Sequence, residues 1–214
     1  MNLMLLGAPG SGKGTQAALL SKEYNIPSIS TGDALRREVD NQSEIGNLAK
    51  SYMNSGKLVP DHVVVDIVAS RLVQKDCENG FILDGFPRNI SQAEQLEKIN
   101  KIDLVVNFEV DEEVLVKRIS GRFSCKKCGS VFNHYFSPTA KAGVCDNCGS
   151  TDFLSRSDDN EETVRSRLKV YHESTFPLIQ FYQKNNLLVS IPSVKGAPLV
   201  FKALVEAIKS HQKK

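Results

Sequence analysis

The sequence predicts an α/β fold: a three-layer core on a parallel sheet, with a small helical insert and a second insert held by a metal. Three observations predict it. Short apolar runs alternate with helical stretches along most of the 214 residues, as strand–helix–strand units require. The first run feeds directly into a glycine-rich turn and a helix. One stretch, residues 123–153, interrupts the alternation and contains four of the five cysteines.

Residues 2–6 form an apolar strand. Gly7-Ala8-Pro9-Gly10-Ser11-Gly12-Lys13-Gly14-Thr15 follows at once and leads into the helix formers Gln16-Ala17-Ala18-Leu19-Leu20. Strand, glycine-rich turn and helix form the context of a phosphate-binding loop (P-loop). Gly7, Gly10, Gly12 and Gly14 are expected to free the backbone, so that successive N–H groups point inward at phosphate oxygens. The helix adds its N-terminal donors and dipole, and Lys13 brings a full charge. Gly14 takes the position where the general pattern has a hydroxyl, and Thr15 falls one step late. Magnesium is therefore expected to be held largely by nucleotide phosphates and water. The loop implies a bound nucleoside triphosphate.

Residues 26–30 read as a second strand, with Thr31-Gly32-Asp33 capping a helix that starts near Ala34 and carries Arg36 and Arg37. That helix end is either a second phosphate site or an ordinary cap with solvent-facing arginines. Helix is expected over 44–52, a break over 55–61, then a helix striped by Val63, Val64, Ile67, Val68 and Leu72. Phe81-Ile82-Leu83-Asp84 is a strand ending in a carboxylate, where α/β sheets bind ligands. Gly85-Phe86-Pro87 then turns the chain and brings Arg88 toward the same crevice. A helix from Ser91-Gln92, a strand over 104–110 and a helix over 111–120 precede the cysteine insert. After it, one helix is expected from Asp159 to about Gln183, with Asp158 and Asp159 as its acidic cap. A strand (187–191) and a helix (198–210) finish the chain, and no internal repeat is expected.

Cys125-x-x-Cys128 and Cys145-x-x-Cys148 have the spacing of a four-cysteine zinc ribbon, each turn presenting two thiolates to one tetrahedral ion. His134, between the two pairs, is expected at the surface, and Cys77 as a small buried hydrophobe.

An apolar fraction of 41% supports a sizeable core, and a net charge of +2 gives no reason to expect nucleic-acid or membrane partners. The first strand begins at Asn2, which leaves no room for a signal peptide, and no apolar run is long enough to span a bilayer. A cytoplasmic monomer is expected. In that reducing setting cysteines ligate metal rather than pair.

GAPGSGKGT, STGDALRRE, GKLVPD, DGFPRNISQA, RISGR and RSDDNEETVRSRL, in this order around a cysteine-bearing insert, resemble an adenylate kinase of the long, zinc-lidded bacterial type. The resemblance runs from Met1 to about Ile208. It implies the reaction ATP + AMP ⇌ 2 ADP with magnesium, and a structural zinc. It also implies a P-loop core (1–29, 60–120 and 158–214), an AMP-binding segment (30–59) and a lid (121–157). By that resemblance Gly10, Ser11, Gly12, Lys13, Gly14 and Thr15 cradle ATP phosphates. Arg118, Arg122, Val131, Phe132 and a backbone group near Lys195-Gly196 complete the ATP side. Thr31, Arg36, Lys57, Leu58, Val59, Gly85, Phe86, Pro87, Arg88 and Gln92 are implied for AMP, with Gln92 reading the adenine edge. Arg156 and Arg167 bridge the phosphates, and Lys13, Arg88, Arg122, Arg156 and Arg167 stabilise the moving charge. A kinase for UMP or GMP is the nearest rival; a nucleotide-gated zinc ribbon binding nucleic acid is a rival of another class.

Overall fold

The computed structural model describes residues 1–194 and 196–211. The chain runs β1 (Asn2–Gly7), α1 (Lys13–Tyr24), β2 (Ser28–Ser30), α2 (Thr31–Asp40), α3 (Glu44–Asn54) and α4 (Asp61–Leu72). Next come β3 (Phe81–Asp84), α5 (Ile90–Ile99), β4 (Leu104–Glu109) and α6 (Glu112–Ser120). The insert contributes β5 (Arg122–Cys125), β6 (Val131–Asn133) and β7 (Phe153–Leu154). Then α7 (Glu161–Val170), α8 (Pro177–Lys184), β8 (Leu188–Pro192) and α9 (Ala197–His211) complete it.

The central sheet has the order β2-β3-β1-β4-β8 and is parallel throughout. Side chains alternate along β1, and both faces are covered. Met4 and Leu6 pack with Val68 of α4, Leu96 of α5 and Leu178 of α8. Leu3 and Leu5 pack with Leu20 of α1 and Leu204 of α9. Burial on both sides explains why these strands read as unbroken apolar runs. The three-layer expectation holds.

The insert is a separate antiparallel sheet, β6-β5-β7. Its own apolar cluster joins Cys125, Phe132 and Cys145 to Phe123, Cys148 and Phe153. Its two cysteine turns are one repeated unit, Cys-x-x-Cys-Gly-Ser, at residues 125–130 and 145–150. In both, the first cysteine's N–H donates to the serine carbonyl (2.9 and 2.8 Å) and the glycine N–H returns to that cysteine's carbonyl (2.9 Å each). An internal repeat, short but real, was thus present in the sequence.

Two helix starts differ from expectation. α2 begins at Thr31, capped by Ser30, whose Oγ accepts from Asp33 N at 3.3 Å. α7 is capped by Asn160, which accepts from Thr163 N at 3.0 Å, and not by Asp158 or Asp159. The long helix expected over 159–183 is also broken. Pro177 has no N–H, and its ring would meet the carbonyl of Glu173 in a continuous α-helix. The chain widens instead into a π-turn, Tyr171–Thr175, in which Phe176 N donates to Tyr171 O at 2.8 Å.

Candidate active site

The carboxyl ends of the central strands open into one cleft of about 550 Å³. β1 delivers the glycine-rich turn to its floor. Gly7, Gly10 and Gly12 take φ of 140°, 81° and 96°, which a β-carbon would disfavour. Gly14 does not: it lies within α1, and its missing side chain leaves room for Asp84, whose Oδ2 would stand 3.4 Å from an added Cβ. A β-carbon there would meet Asp84 at ordinary contact distance, so neither the backbone conformation nor crowding within the chain demands glycine at this position.

Lys13 folds back over the turn. Its Nζ donates to Gly7 O at 2.6 Å, Ala8 O at 3.0 Å and Ser11 Oγ at 3.3 Å. Burial pulls its pKa down from 10.5 to about 8; the Asp84 carboxylate opposes the shift, and Arg88, Arg167 and Arg122 add to it. Burial pushes the Asp84 carboxyl up, against the attraction of Lys13 and Arg88.

The arginines reach the cleft from four separate stretches of chain. Arg122 grips Asp159 with Nε at 2.8 Å and Nη2 at 2.6 Å. Arg167 Nη1 meets Asp158 Oδ2 at 3.1 Å and Asp159 Oδ1 at 3.3 Å. Arg36 holds Asp33 at 2.7 Å, and Arg156 Nη2 reaches the same oxygen at 3.1 Å. Burial would raise the Asp33 carboxyl, but hydrogen bonding and charge from Arg36, then charge from Arg156, hold it below the usual range. Arg88 donates Nε to Gly85 O at 2.8 Å. Burial lowers both Arg88 and Arg156 to about 10, so each stays charged at neutral pH. A buried group of guanidinium charges facing one cavity calls for an anion.

On the β3 side, Thr31 Oγ1 donates to Gly85 O at 2.8 Å. Gln92 is buried with both polar atoms engaged. Its Oε1 accepts from Arg88 N at 2.7 Å and its Nε2 donates to Asp61 Oδ1 at 2.7 Å. One N–H and one lone pair of the carboxamide remain for a ligand.

In the insert, the Sγ atoms of Cys125, Cys128, Cys145 and Cys148 lie within 4.8 Å of one another. Two pairs stand at 3.5 and 3.6 Å. A tetrahedral zinc with ~2.3 Å bonds sets its sulfurs about 3.8 Å apart, so the four thiols fit the ion and fill its coordination. His134 is exposed and stacks on Phe123, outside the cluster.

The sequence profile of the adenylate kinase family matches residues 5–187. An adenylate kinase from Caldicellulosiruptor saccharolyticus is 54% identical over 89% of this chain and 90% of its own. Those of Archaeoglobus fulgidus and Alkaliphilus oremlandii are 49% and 48% identical over 98% of this chain and 100% and 99% of theirs. The chain belongs to the adenylate kinase family.

As an adenylate kinase it is a phosphotransferase acting between ATP and AMP with magnesium, and the four-cysteine cluster fits a structural zinc. UMP or GMP as the acceptor is not favoured by relatives that all carry the adenylate kinase name. Every residue expected to touch nucleotide lines the cleft except Ser11 and Phe86, which are fully buried behind it, and Lys195, which lies outside the described residues. Sequence reasoning missed the carboxylates. Asp33, Asp158 and Asp159 read as helix caps, yet each holds arginines instead. The available signal was the side-chain competition at position 160: a better-placed asparagine cap freed the two preceding aspartates. Tyr171 and Thr175 also line the cleft, and the π-turn that brings them there was signalled only by Pro177.

Proposed function

We propose that Mg-ATP binds over the P-loop, with its base toward Gly196 and its phosphates at Lys13, and that AMP binds between β3 and the α2–α3 segment. Gln92 pairs with the AMP adenine, while Arg36 and Arg88 hold its phosphate. Arg122, Arg156 and Arg167 surround the phosphoryl group between the two nucleotides. Arg118, at the end of α6, and Val131 and Phe132, from the insert, close the ATP side.

A nucleotide monophosphate has a second pKa near ~6 and attacks as its dianion, so no general base is needed. The work left to the protein is alignment of two anions and neutralisation of charge as the phosphoryl group moves in line. Magnesium arrives with the nucleotide and supplies charge neutralisation. Asp84, at the end of β3 beside Gly14, is the carboxylate that would hold the ion through water. Segments 30–59 and 121–157 close over the substrates and exclude water. Arg156 meets Asp33 between these two segments at 3.1 Å, a contact that supports their coming together. The enzyme works as a cytoplasmic monomer.

The observation that carries this reading is the convergence of Lys13, Arg88, Arg122, Arg156 and Arg167 on one cleft at the strand ends. Arg88 is the test. Among the described residues its guanidinium makes one hydrogen bond, to Gly85 O, leaving both terminal nitrogens for a phosphate. Arg88→Ala should lower kcat by about two to three orders of magnitude, the loss seen when one charge-stabilising donor is removed. A folded variant turning over like wild type would reject the assignment.

A further inference from the structure

We propose that Thr175 is a positioning residue for Arg88, and that the π-turn serves to bring its hydroxyl there. The proposal deepens the reading of Arg88 as a phosphate ligand and rests on it. Thr175 is buried in the cleft wall, and its Oγ1 donates to Arg88 O at 2.7 Å. At the other end of the same residue, Arg88 N donates to Gln92 Oε1 at 2.7 Å, and Gln92 is anchored on Asp61. Both backbone polar atoms of Arg88 are therefore held by side chains. They need to be: residues 85–89 belong to no strand or helix, so no ladder fixes their peptide planes. A small rotation there is carried along the arginine side chain and enlarged at the guanidinium.

The π-turn explains how the hydroxyl arrives. One extra residue in a turn shifts the helical phase by about 100°. α7 packs Val164 and Leu168 against α6, whereas α8 packs Leu178 and Tyr182 against the sheet. The phase change serves both faces and leaves Thr175, at the seam, turned to the β3–α5 connection. Pro177 fixes where the turn occurs. Single π-turns of this kind are frequent at functional sites.

Thr175→Val removes the hydroxyl at constant shape and Thr175→Ser retains it. Each is assayed for kcat, both KM values and Tm, in wild-type and Arg88→Ala backgrounds. Thr175→Val is expected to lower kcat about tenfold or more, as small misplacements of a reacting group do. KM for ATP stays in place, Thr175→Ser restores most of the loss, and Thr175→Val adds nothing in the Arg88→Ala background. An equal fall in the Arg88→Ala background overturns the proposal, because Thr175 then acts elsewhere. So does wild-type turnover in Thr175→Val when Arg88→Ala is impaired. If Arg88→Ala itself keeps wild-type turnover, the phosphate-ligand reading falls and this one with it. Should Thr175→Val not fold, Thr175→Ala carries the same comparison.

Discussion

Raising the pH from 8 to 9 should weaken ATP binding chiefly through Lys13, since Arg88 and Arg156 lose their charge only nearer pH 10. In the empty cleft its ammonium has a pKa of about 8 instead of 10.5, chiefly because burial disfavours the charged form. Triphosphate beside it reverses that balance and restores the proton. Near pH 7 the lysine is about nine-tenths charged, so the affinity should change little there. At pH 9 only about a tenth of the empty enzyme carries the charge, so binding should fall nearly tenfold per unit, or about 1.4 kcal/mol. Binding in that window must also take up close to one proton, since ATP phosphates are fully ionised there. Titration calorimetry at pH 7.5, 8.5 and 9.5, in buffers of different ionisation enthalpy, measures both quantities. The same shift has a signature without ligand. Unfolded chain keeps the Lys13 proton to higher pH than folded chain does, so the lysine's contribution to stability rises between about pH 8 and 10.5. Flat affinity across this range with no proton uptake, or unchanged uptake in Lys13→Met, would refute the reasoning.

Two further outcomes are expected. Stripping the zinc, or replacing Cys145 with serine, should lower Tm and loosen the insert while some turnover survives at low temperature, because a filled thiolate site leaves no position for substrate. Circular dichroism beside a magnesium-saturated assay reads this, and lost turnover with unchanged melting and ATP affinity would make the metal catalytic. Gln92→Ala should raise KM for AMP and leave that for ATP nearly unchanged, checked by a coupled assay of ADP formation. A loss of ATP affinity instead would place the residue with the wrong nucleotide.

Much of this molecule could be read from its residues. Strands such as Phe81–Asp84 announced themselves because both faces of the sheet are buried, so an apolar run and its terminal carboxylate sit side by side. The P-loop was legible because lysine, glycines and flanking elements are contiguous. What escaped was decided by competition between neighbours. Asp158 and Asp159 look like caps until Asn160 takes that role and Arg122 and Arg167 take the aspartates. Gly14 looked like part of a flexible turn, yet it lies in the first turn of α1 beside Asp84, 70 positions away and brought near by the β1–β3 pairing. The π-turn needed the tertiary demand of two packed faces as well as Pro177. The repeated Cys-x-x-Cys-Gly-Ser unit was legible throughout, because each copy is six contiguous residues.

The stem of the zinc insert has a consequence for how such a chain can change. Its first and last strands, β5 and β7, pair with each other, Ser124 opposite Leu154 and Cys125 opposite Phe153. The chain therefore leaves the core and returns to it at adjacent points, and the detour between them closes on itself. For a closed detour the entropy of joining the ends grows only slowly with length. Residues 126–152 behave as a cassette, which a lineage can shorten, lengthen or rebuild with other side chains while the P-loop and its sheet fold as before. Three of the four candidate zinc ligands lie in that cassette and Cys125 stands on its stem, so any dependence on zinc is a local trait that changes with these few residues.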